Sequence, residues 1–357
     1  MAFLKFEHVK IAGIAGGVPS NIISNAAGIS NSDDYDAQAF IETTGVAERR
    51  FSSVLTTSDL CYAAAERLIS NLKWNKEEID FLIFVTQTPD FIEPATACIM
   101  QDRLGLSKEC FAEDISLGCS GWVYGLSNVA SLLSANGGKK ALLMVGDGKR
   151  RNPEEDDPLF GMAGVVTALE YSEKADPMWF HFGTDGSGYD AIIIPDGGSR
   201  NQFSEKSFEY QEVEGHKWNR LQTWMKGMDV FSFGISTAPK SVKKLAEHFN
   251  FDYSSYDYLV LHQANMKMND MIAKKLKFDK DKVPSSMLHY GNTSSASIPL
   301  TIVTELKDAI KSQTNLIGCG FGIGLSWGTV AFTVDNNIVI PDIVEVNDIE
   351  TDSKHVI

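Results

Sequence analysis

One strand-like segment of this chain occurs twice. Asp80-Phe-Leu-Ile-Phe-Val-Thr-Gln in the first half is echoed by Asp257-Tyr-Leu-Val-Leu-His-Gln in the second. Downstream of each copy, a turn of small residues leads into a helix-like run, Gly118-Cys-Ser-Gly in one case and Gly291-Asn-Thr-Ser-Ser-Ala-Ser in the other. Two unrelated buried strands are the alternative on matches this short. We interpret the pair as an internal duplication, because recurrence of a supersecondary unit is the sequence mark of repeated architecture.

The duplicated segments belong to a wider alternation of strand-like and helix-like stretches. Apolar runs bounded by turn residues lie at 9–14, 81–86, 141–145, 191–194, 258–262 and 315–319. Helical periodicity appears between several of them, most clearly in Asp59–Asn71 and Ser241–Phe249. This alternation predicts an α/β protein. The chain has 357 residues, enough for two modules or one large α/β unit with a sizeable core.

The segments between the apolar runs indicate where the halves meet. Residues 196–220 are polar and glycine-rich, and we assign them to a connecting loop between a first half at 1–195 and a second half at 221–335. In residues 336–357, five acidic side chains accompany one lysine. We expect a frayed acidic tail there.

The charge of the chain argues against polyanionic ligands. There are 47 Asp and Glu against 32 Lys and Arg, a formal net charge of −15, which repels the phosphates of nucleic acids and of anionic lipids. We therefore expect neither nucleic acid nor a membrane as partner. Since no run of about eighteen apolar residues and no signal-peptide pattern is present, we also expect a cytoplasmic protein.

Five cysteines are present, at positions 61, 98, 110, 119 and 319. Their number is odd and their spacing fits neither a zinc site nor a disulfide framework, so we expect reduced thiols and no metal. Cys119 differs from the others because Asp114-Ile-Ser-Leu-Gly-Cys119-Ser-Gly-Trp is typical of a buried strand, a tight turn and a helix whose first turn carries the cysteine. Backbone N–H groups and the helix dipole favour a thiolate there. The sequence thus predicts a nucleophile with a lowered pKa.

Two downstream residues are further candidates for the same site. His262 ends the apolar strand Tyr-Leu-Val-Leu, at the end of a strand where open α/β sheets place their ligands. Asn292 lies among small residues in Tyr290-Gly-Asn292-Thr-Ser. Each alone is equally explained as a core, turn or capping residue.

The motifs around these residues match one known family in order and spacing. They are Thr44-Gly-Val-Ala-Glu-Arg-Arg50, Asp114-Ile-Ser-Leu-Gly-Cys119-Ser-Gly-Trp, Gly183-Thr-Asp-Gly-Ser-Gly188, Leu261-His262-Gln-Ala-Asn, Tyr290-Gly-Asn292-Thr-Ser and Gly320-Phe-Gly-Ile-Gly-Leu-Ser-Trp-Gly328. From about Val9 to Val334 the chain resembles the β-ketoacyl-acyl carrier protein synthase III enzymes of the thiolase superfamily. The resemblance implies a five-layered α-β-α-β-α fold of two duplicated halves, and a homodimer.

The resemblance also implies a role for each candidate residue. Cys119 would hold the acyl group as a thioester, because a thioester keeps the carbonyl electrophilic. His262 Nε2 and the Asn292 amide would stabilise the enolate formed when a malonyl thioester loses carbon dioxide, and each such donor contributes roughly 3–4 kcal/mol. The backbone N–H groups of Cys119 and Ile323 would bind the second oxyanion. The implied substrates are an acyl-CoA or acyl carrier thioester and malonyl-acyl carrier protein, with no metal or redox cofactor.

A basic stripe follows His262 in the sequence. On a helix, Lys267, Lys274 and Lys277 share one arc, whereas Lys275 falls toward the apolar arc. A solvated lysine face is the simple explanation. In the family, the acidic acyl carrier protein docks on this helix, which implies carrier-binding roles for Lys267, Lys274 and Lys275.

The chain departs from the family pattern at three positions. The family usually has a tryptophan and an arginine that enclose the adenine of coenzyme A, where this chain has Ala39 and Thr43. Glu93 aligns with an aromatic residue that reaches across the dimer into the acyl tunnel. A carboxylate beside a plain alkyl chain is costly unless it is paired or solvated. We therefore expect a specialised primer rather than plain acetyl-CoA.

The sequence favours a condensing enzyme that joins the Cys119-bound acyl group to a malonyl unit. One alternative is an acyltransferase of the same fold that passes this acyl group to an alcohol or an amine. A non-catalytic partner subunit of a heterodimer is the alternative from another class, and the presence of Cys119, His262 and Asn292 together argues against it.

Overall fold

The computed structural model describes residues 2–27, 36–135, 138–148 and 157–348. Most of the described chain is arranged around two mixed β-sheets. In spatial order, the strands of the first sheet are β17 (Val344–Val346), β2 (Val9–Pro19), β8 (Gly164–Tyr171), β7 (Lys140–Gly146), β5 (Phe81–Val85) and β6 (Phe111–Ile115). Those of the second sheet are β1 (Ala2–Phe6), β9 (Met178–Thr184), β16 (Ser326–Val334), β15 (Thr314–Gly322) and β14 (Tyr258–Leu261).

The two sheets repeat one pairing pattern. In the first sheet β5 and β7 are parallel, β7 and β8 antiparallel, and β8 and β2 antiparallel. In the second, β14 and β15 are parallel, β15 and β16 antiparallel, and β16 and β9 antiparallel. The echoed segments at Asp80 and Asp257 lead into β5 and β14, which occupy equivalent positions. The predicted duplication is confirmed.

Helices form the other three layers. Their bounds are α1 (Ala37–Thr44), α2 (Thr57–Leu72), α3 (Thr96–Arg103), α4 (Gly121–Ser134), α5 (Gly227–Phe249), α6 (Met266–Leu276), α7 (Met287–Tyr290) and α8 (Ser297–Thr301). Helices α2 and α3 cover the outer face of the first sheet, and α5 and α6 cover that of the second. Helices α4 and α8 lie between the sheets. This is the predicted five-layered α-β-α-β-α fold.

The sequence explains the layer that each helix takes. Helix α2 begins with a capping box between Thr56 and Asp59, and one of its faces is apolar. Helix α4 has buried residues on nearly every side, which is typical of a helix enclosed by protein. Its largest side chain, Trp122, is fully buried, and the indole N–H donates to the Thr167 hydroxyl at 3.0 Å, so the polar atom is satisfied.

In the described part of the chain, three short antiparallel ribbons lie outside the two sheets. They are β3 (Ile22–Ser24) with β4 (Glu48–Arg50), β10 (Ile192–Ile193) with β13 (Trp224–Met225), and β11 (Gln211–Val213) with β12 (His216–Trp218). Among the helices in the described ranges, none combines the length and the apolar character needed to cross a membrane.

The strand pairing places the boundary between the two halves before β9, earlier in the chain than the sequence predicted. Strand β9 ends at Thr184, within the expected first half of 1–195, yet it pairs with β16 and stands in the second sheet where β2 stands in the first. The expected connecting loop at 196–220 contains the ribbon β11–β12 and lies between β10 and β13. The polar composition of residues 196–220 predicts a boundary there, whereas the pairing of β9 with β16 places the boundary before β9.

The expectation of a frayed acidic tail is wrong up to residue 348. Strand β17 pairs in parallel with the end of β2, and Val346 is buried. Glu345 forms an ion pair with Arg50 at 2.9 Å, and Asp348 accepts a hydrogen bond from the Ser52 hydroxyl at 2.7 Å. Glu345 and Asp348 therefore have partners at the end of β4 and just after it. Residues 349–357 lie outside the described residues.

Candidate active site

One cavity brings together the three residues that the sequence singled out. Cys119, His262 and Asn292 all line it, and its volume is about 160 Å³. Cys119 lies just before α4, His262 just after β14, and Asn292 just after α7. Residues from both halves therefore line the cavity.

Backbone geometry fixes the position of Cys119. The backbone N–H groups of Ile323 and of Cys119 itself act on the thiol by lowering its pKa. Gly322 lets the backbone approach the thiol closely, since a Cβ atom there would lie 2.8 Å from the Cys119 sulfur. Ile323, for which the family resemblance implies an oxyanion-binding N–H, lines the cavity together with Cys119.

The expected low pKa of Cys119 is not found. Burial, with a smaller contribution from the Asp147 carboxylate, raises the pKa of the Cys119 thiol to about 11 against the opposing effect of the backbone N–H groups. Helix α4 begins at Gly121, so Cys119 precedes the helix rather than lying in its first turn. At neutral pH the resting residue is a thiol.

His262 is buried and held from both ends. Its backbone N–H donates to the Cys319 carbonyl at 2.9 Å, and its ring meets Phe321 edge-on with a centroid distance of 5.7 Å. Nδ1 lies 2.7 Å from the Ser297 hydroxyl. Burial lowers the pKa of His262 to about 3, so the imidazole is neutral at pH 7 and can donate one N–H without carrying charge.

Asn292 is oriented by its own loop. Its side-chain oxygen accepts the Ser294 N–H at 2.9 Å, which leaves the amide N–H₂ free of that contact. Its backbone pairs with Leu159 and Gly161 at 2.8 and 3.1 Å. The preceding Gly291 has φ +63, and a Cβ atom there would lie 2.8 Å from the Leu159 carbonyl oxygen, so only glycine fits.

The basic stripe on α6 is exposed, as the helical phase indicated for Lys267 and Lys274. Lys275 differs from the predicted position, because it is exposed and its ammonium donates to the Ile235 carbonyl of α5 at 2.9 Å. The residues of the predicted apolar arc, Met268, Ile272 and Leu276, are buried. Lys275 therefore ties the two outer helices of the second sheet together.

The positions that depart from the family pattern lie outside this cavity in the single chain. Ala39 and Thr43 are exposed on one face of α1, a helix that contacts α6. Glu93 is exposed beside Ile92, whose side chain is 96% exposed. The predicted role of Glu93 concerns the tunnel of a second subunit.

Several residues of the cavity escaped the sequence analysis. Gln87, Asp147 and Ser294 all line it, and Ser297 supports His262 from behind. One signal was available for Asp147, which directly follows the strand β7. Strand ends in α/β sheets carry ligand-binding residues, so an acid at this place was a candidate.

Known proteins resemble the chain over nearly its full length. A family model described as 3-oxoacyl-[acyl-carrier-protein] synthase III C terminal matches residues 246–334. The β-ketoacyl-[acyl-carrier-protein] synthase III of Streptococcus pneumoniae is 31% identical over 333 residues, covering 91% of this chain and 99% of that protein.

Solved structures give the same result. The 3-oxoacyl-(acyl-carrier protein) synthase of Burkholderia xenovorans superimposes with a TM-score of 0.88 at 36% identity, covering 97% of this chain and 99% of that one. The synthase III of Pseudomonas aeruginosa superimposes with a TM-score of 0.79 at 29% identity, covering 93% and 100%. The cavity and the duplicated fold agree with these relatives. The chain belongs to the β-ketoacyl-acyl carrier protein synthase III family of the thiolase superfamily.

Proposed function

We propose that this protein is a condensing enzyme that forms a 3-oxoacyl thioester. The observation that carries the proposal is the convergence of Cys119, His262 and Asn292 on one buried cavity. Relatives that cover nearly the whole chain are named β-ketoacyl-acyl carrier protein synthase III. Membership in that family agrees with the chemistry that these three side chains can perform.

The first half-reaction loads the primer. The Cys119 sulfur attacks the acyl thioester, a new carbon–sulfur bond forms, and the carrier thiol leaves with the proton that Cys119 gave up. Because burial raises the pKa of Cys119 to about 11, the thiolate has to form during this step. The N–H groups of Cys119 and Ile323 are the donors that we assign to the tetrahedral oxyanion.

The second half-reaction extends the primer. The malonyl thioester loses carbon dioxide, and the electrons of the broken bond form an enolate. Neutral His262 and the Asn292 amide donate to the enolate oxygen. The enolate carbon then attacks the acyl carbonyl, and the Cys119 sulfur leaves. No oxidation or reduction occurs, and we propose that no metal or redox cofactor takes part.

We infer that the malonyl unit arrives on an acyl carrier protein. Lys267 and Lys274 are exposed on α6, and Asn265 and Met268 of the same segment line the cavity. An acidic carrier would thus bind beside the entrance through charge complementarity. Lys275 contributes less to this surface, because its ammonium already binds a carbonyl of α5.

We further propose a homodimer with a specialised primer. Glu93 and Ile92 project from the chain surface, as expected of a loop that reaches into the tunnel of a second subunit. Ala39 and Thr43 provide neither an aromatic ring nor a guanidinium for adenine, so coenzyme A is held weakly at its nucleotide end. The expected cytoplasmic location stays a prediction.

Intact-mass measurement tests the proposed function. The protein is incubated with acyl-CoA and acyl carrier thioesters, and then with malonyl carrier protein. We expect a mass gain that requires Cys119, followed by release of a 3-oxoacyl product. Transfer of the acyl group to an added alcohol or amine, without decarboxylation of malonyl thioesters, would support the acyltransferase alternative. Absence of any acyl adduct would favour a non-catalytic partner subunit.

A further inference from the structure

Asp147 is the one acidic residue that lines the cavity in the described part of the chain. It is buried, and several donors converge on its carboxylate. Oδ1 accepts the Gln87 N–H at 2.6 Å and the Thr86 hydroxyl at 3.3 Å. Oδ2 accepts the Ser295 hydroxyl at 2.9 Å and the Ser295 N–H at 3.4 Å. Burial raises the pKa of Asp147, and the Ser294 hydroxyl acts in the opposite direction on the same carboxyl group.

These bonds join three separate segments at the nucleophile. Thr86 and Gln87 follow β5, Asp147 follows β7, and Ser294 and Ser295 belong to the loop that carries Asn292. The Ser294 N–H donates to the Asn292 side-chain oxygen at 2.9 Å, and the Ser294 hydroxyl lowers the pKa of the Cys119 thiol. Ser294 has φ +52, a left-handed conformation that a serine keeps only where its surroundings hold it.

We propose that Asp147 is a positioning residue that holds the 292–297 loop, and through Ser294 the Asn292 amide, in place for malonyl decarboxylation. The inference rests on the proposed function. It also explains why a carboxylate occupies this position. A neutral amide offers one acceptor oxygen in place of two, so it cannot accept from the strand β5 end and from the Ser295 N–H at the same time.

Asp147 has the opposite effect on the nucleophile. When the carboxyl is ionised, its negative charge disfavours the thiolate and raises the pKa of Cys119. Loss of this charge should therefore make Cys119 more reactive, while loss of the hydrogen bonds makes decarboxylation slower. A residue that only stabilised the fold would lower both rates together.

The test compares Asp147→Asn with Ser295→Ala and with the control Asp114→Asn. Asp114 accepts the Thr96 and Ala97 N–H groups, both at 2.7 Å, away from the cavity. Three quantities are measured on each full-length protein. They are hydrogen exchange of the peptide covering residues 292–297, single-turnover decarboxylation by pre-acylated enzyme, and iodoacetamide alkylation of the Cys119 peptide.

For Asp147→Asn we expect faster hydrogen exchange of the 292–297 peptide. Decarboxylation should be slower by roughly ten- to a hundredfold. Alkylation of Cys119 should be unchanged or faster by up to about tenfold. The fall should appear in kcat more than in KM for the malonyl substrate. Ser295→Ala should show a smaller change in the same directions, and it serves as the test if Asp147→Asn does not fold. Asp114→Asn should leave the ratio of the two rates as in the wild type.

Two results would overturn the inference. One is a parallel fall of decarboxylation and alkylation in Asp147→Asn, and the other is unchanged exchange of the 292–297 peptide. Failure of the proposed function looks different, because the wild-type protein itself would then decarboxylate no malonyl thioester. In that case the exchange and alkylation measurements still decide whether Asp147 holds the loop.

Discussion

Nδ1 of His262 lies 2.7 Å from the Ser297 hydroxyl, and both side chains are buried. When this hydroxyl donates to Nδ1, the proton of the neutral imidazole is on Nε2. Ser297 begins α8, the helix between the sheets, so the central layer of the fold sets the orientation of a side chain in the cavity. His262 thus becomes a fixed donor rather than a titrating acid.

This relationship predicts a split between the half-reactions. His262→Ala and Asn292→Ala should still form the acyl-enzyme but lose malonyl decarboxylation by roughly 10²–10³-fold, since each removes one donor to the enolate oxygen. Ser297→Ala should lose at least about tenfold, because the tautomer is no longer fixed. Ser286→Ala removes a buried hydroxyl bonded to Thr301 at 2.8 Å and is the matched control. Equal losses in acylation and decarboxylation would show that His262 and Asn292 serve acylation or folding.

The second prediction concerns the pH dependence of Cys119 labelling. Because the pKa of Cys119 is raised to about 11, its thiolate fraction should grow about tenfold per pH unit between pH 7 and 9. Peptide-level mass spectrometry after iodoacetamide measures this slope, and it separates Cys119 from the exposed Cys98. A rate that is already level at pH 7 would mean that the thiolate exists at rest. Cys119→Ala should accept no acyl group at all.

The third prediction is that the free energy of unfolding falls in mild acid. The direction of this change follows from two buried histidines. Burial lowers the pKa of His262 to about 3 and that of His181 to about 4, whereas the unfolded chain binds these protons near pH 6.5. Their contribution is therefore complete above about pH 6.5 and is lost as the pH falls toward 3. Urea midpoints measured from pH 7.5 to 4.5 should show the loss, with a shallower slope in His181→Asn. A flat profile would contradict the lowered pKa values.

Local patterns singled out Cys119, His262 and Asn292, which the structure brings to one cavity, whereas the family resemblance implied the layers of the fold. Cys119 and His262 adjoin apolar strands, and α4 is apolar on almost every side. The sequence could not predict that β9 stands in the second sheet, since strand pairing over a long separation depends on packing that no local pattern records. The prediction of a low pKa for Cys119 was wrong for a related reason. The N–H donors are visible in the motif, whereas burial and the charge of Asp147 arise only when distant segments meet.

A fourth prediction addresses the carrier. Lys267→Glu combined with Lys274→Glu should weaken the use of carrier-bound substrates and flatten the salt dependence of their turnover. Turnover of a small thioester mimic should stay almost unchanged, because neither lysine lines the cavity. Lys243→Glu, an exposed lysine on α5, is the control for the change of charge. Equal effects on both kinds of substrate would remove the docking role.

The last prediction concerns the primer. Ala39 and Thr43 lie on one exposed face of α1 and cannot enclose an adenine, so coenzyme A should lack roughly 1–3 kcal/mol of stacking energy. Acylation by acetyl-CoA should be slow compared with acylation by the same group on a carrier protein.

The double change Ala39→Trp with Thr43→Arg should improve the use of CoA esters alone, and Glu93→Phe should shift preference from polar toward plain alkyl primers. Acylation rates of Cys119 with each donor measure both effects. Fast, saturable acylation of the wild-type protein by micromolar acetyl-CoA would contradict the prediction, because the nucleotide would then be well bound without these side chains.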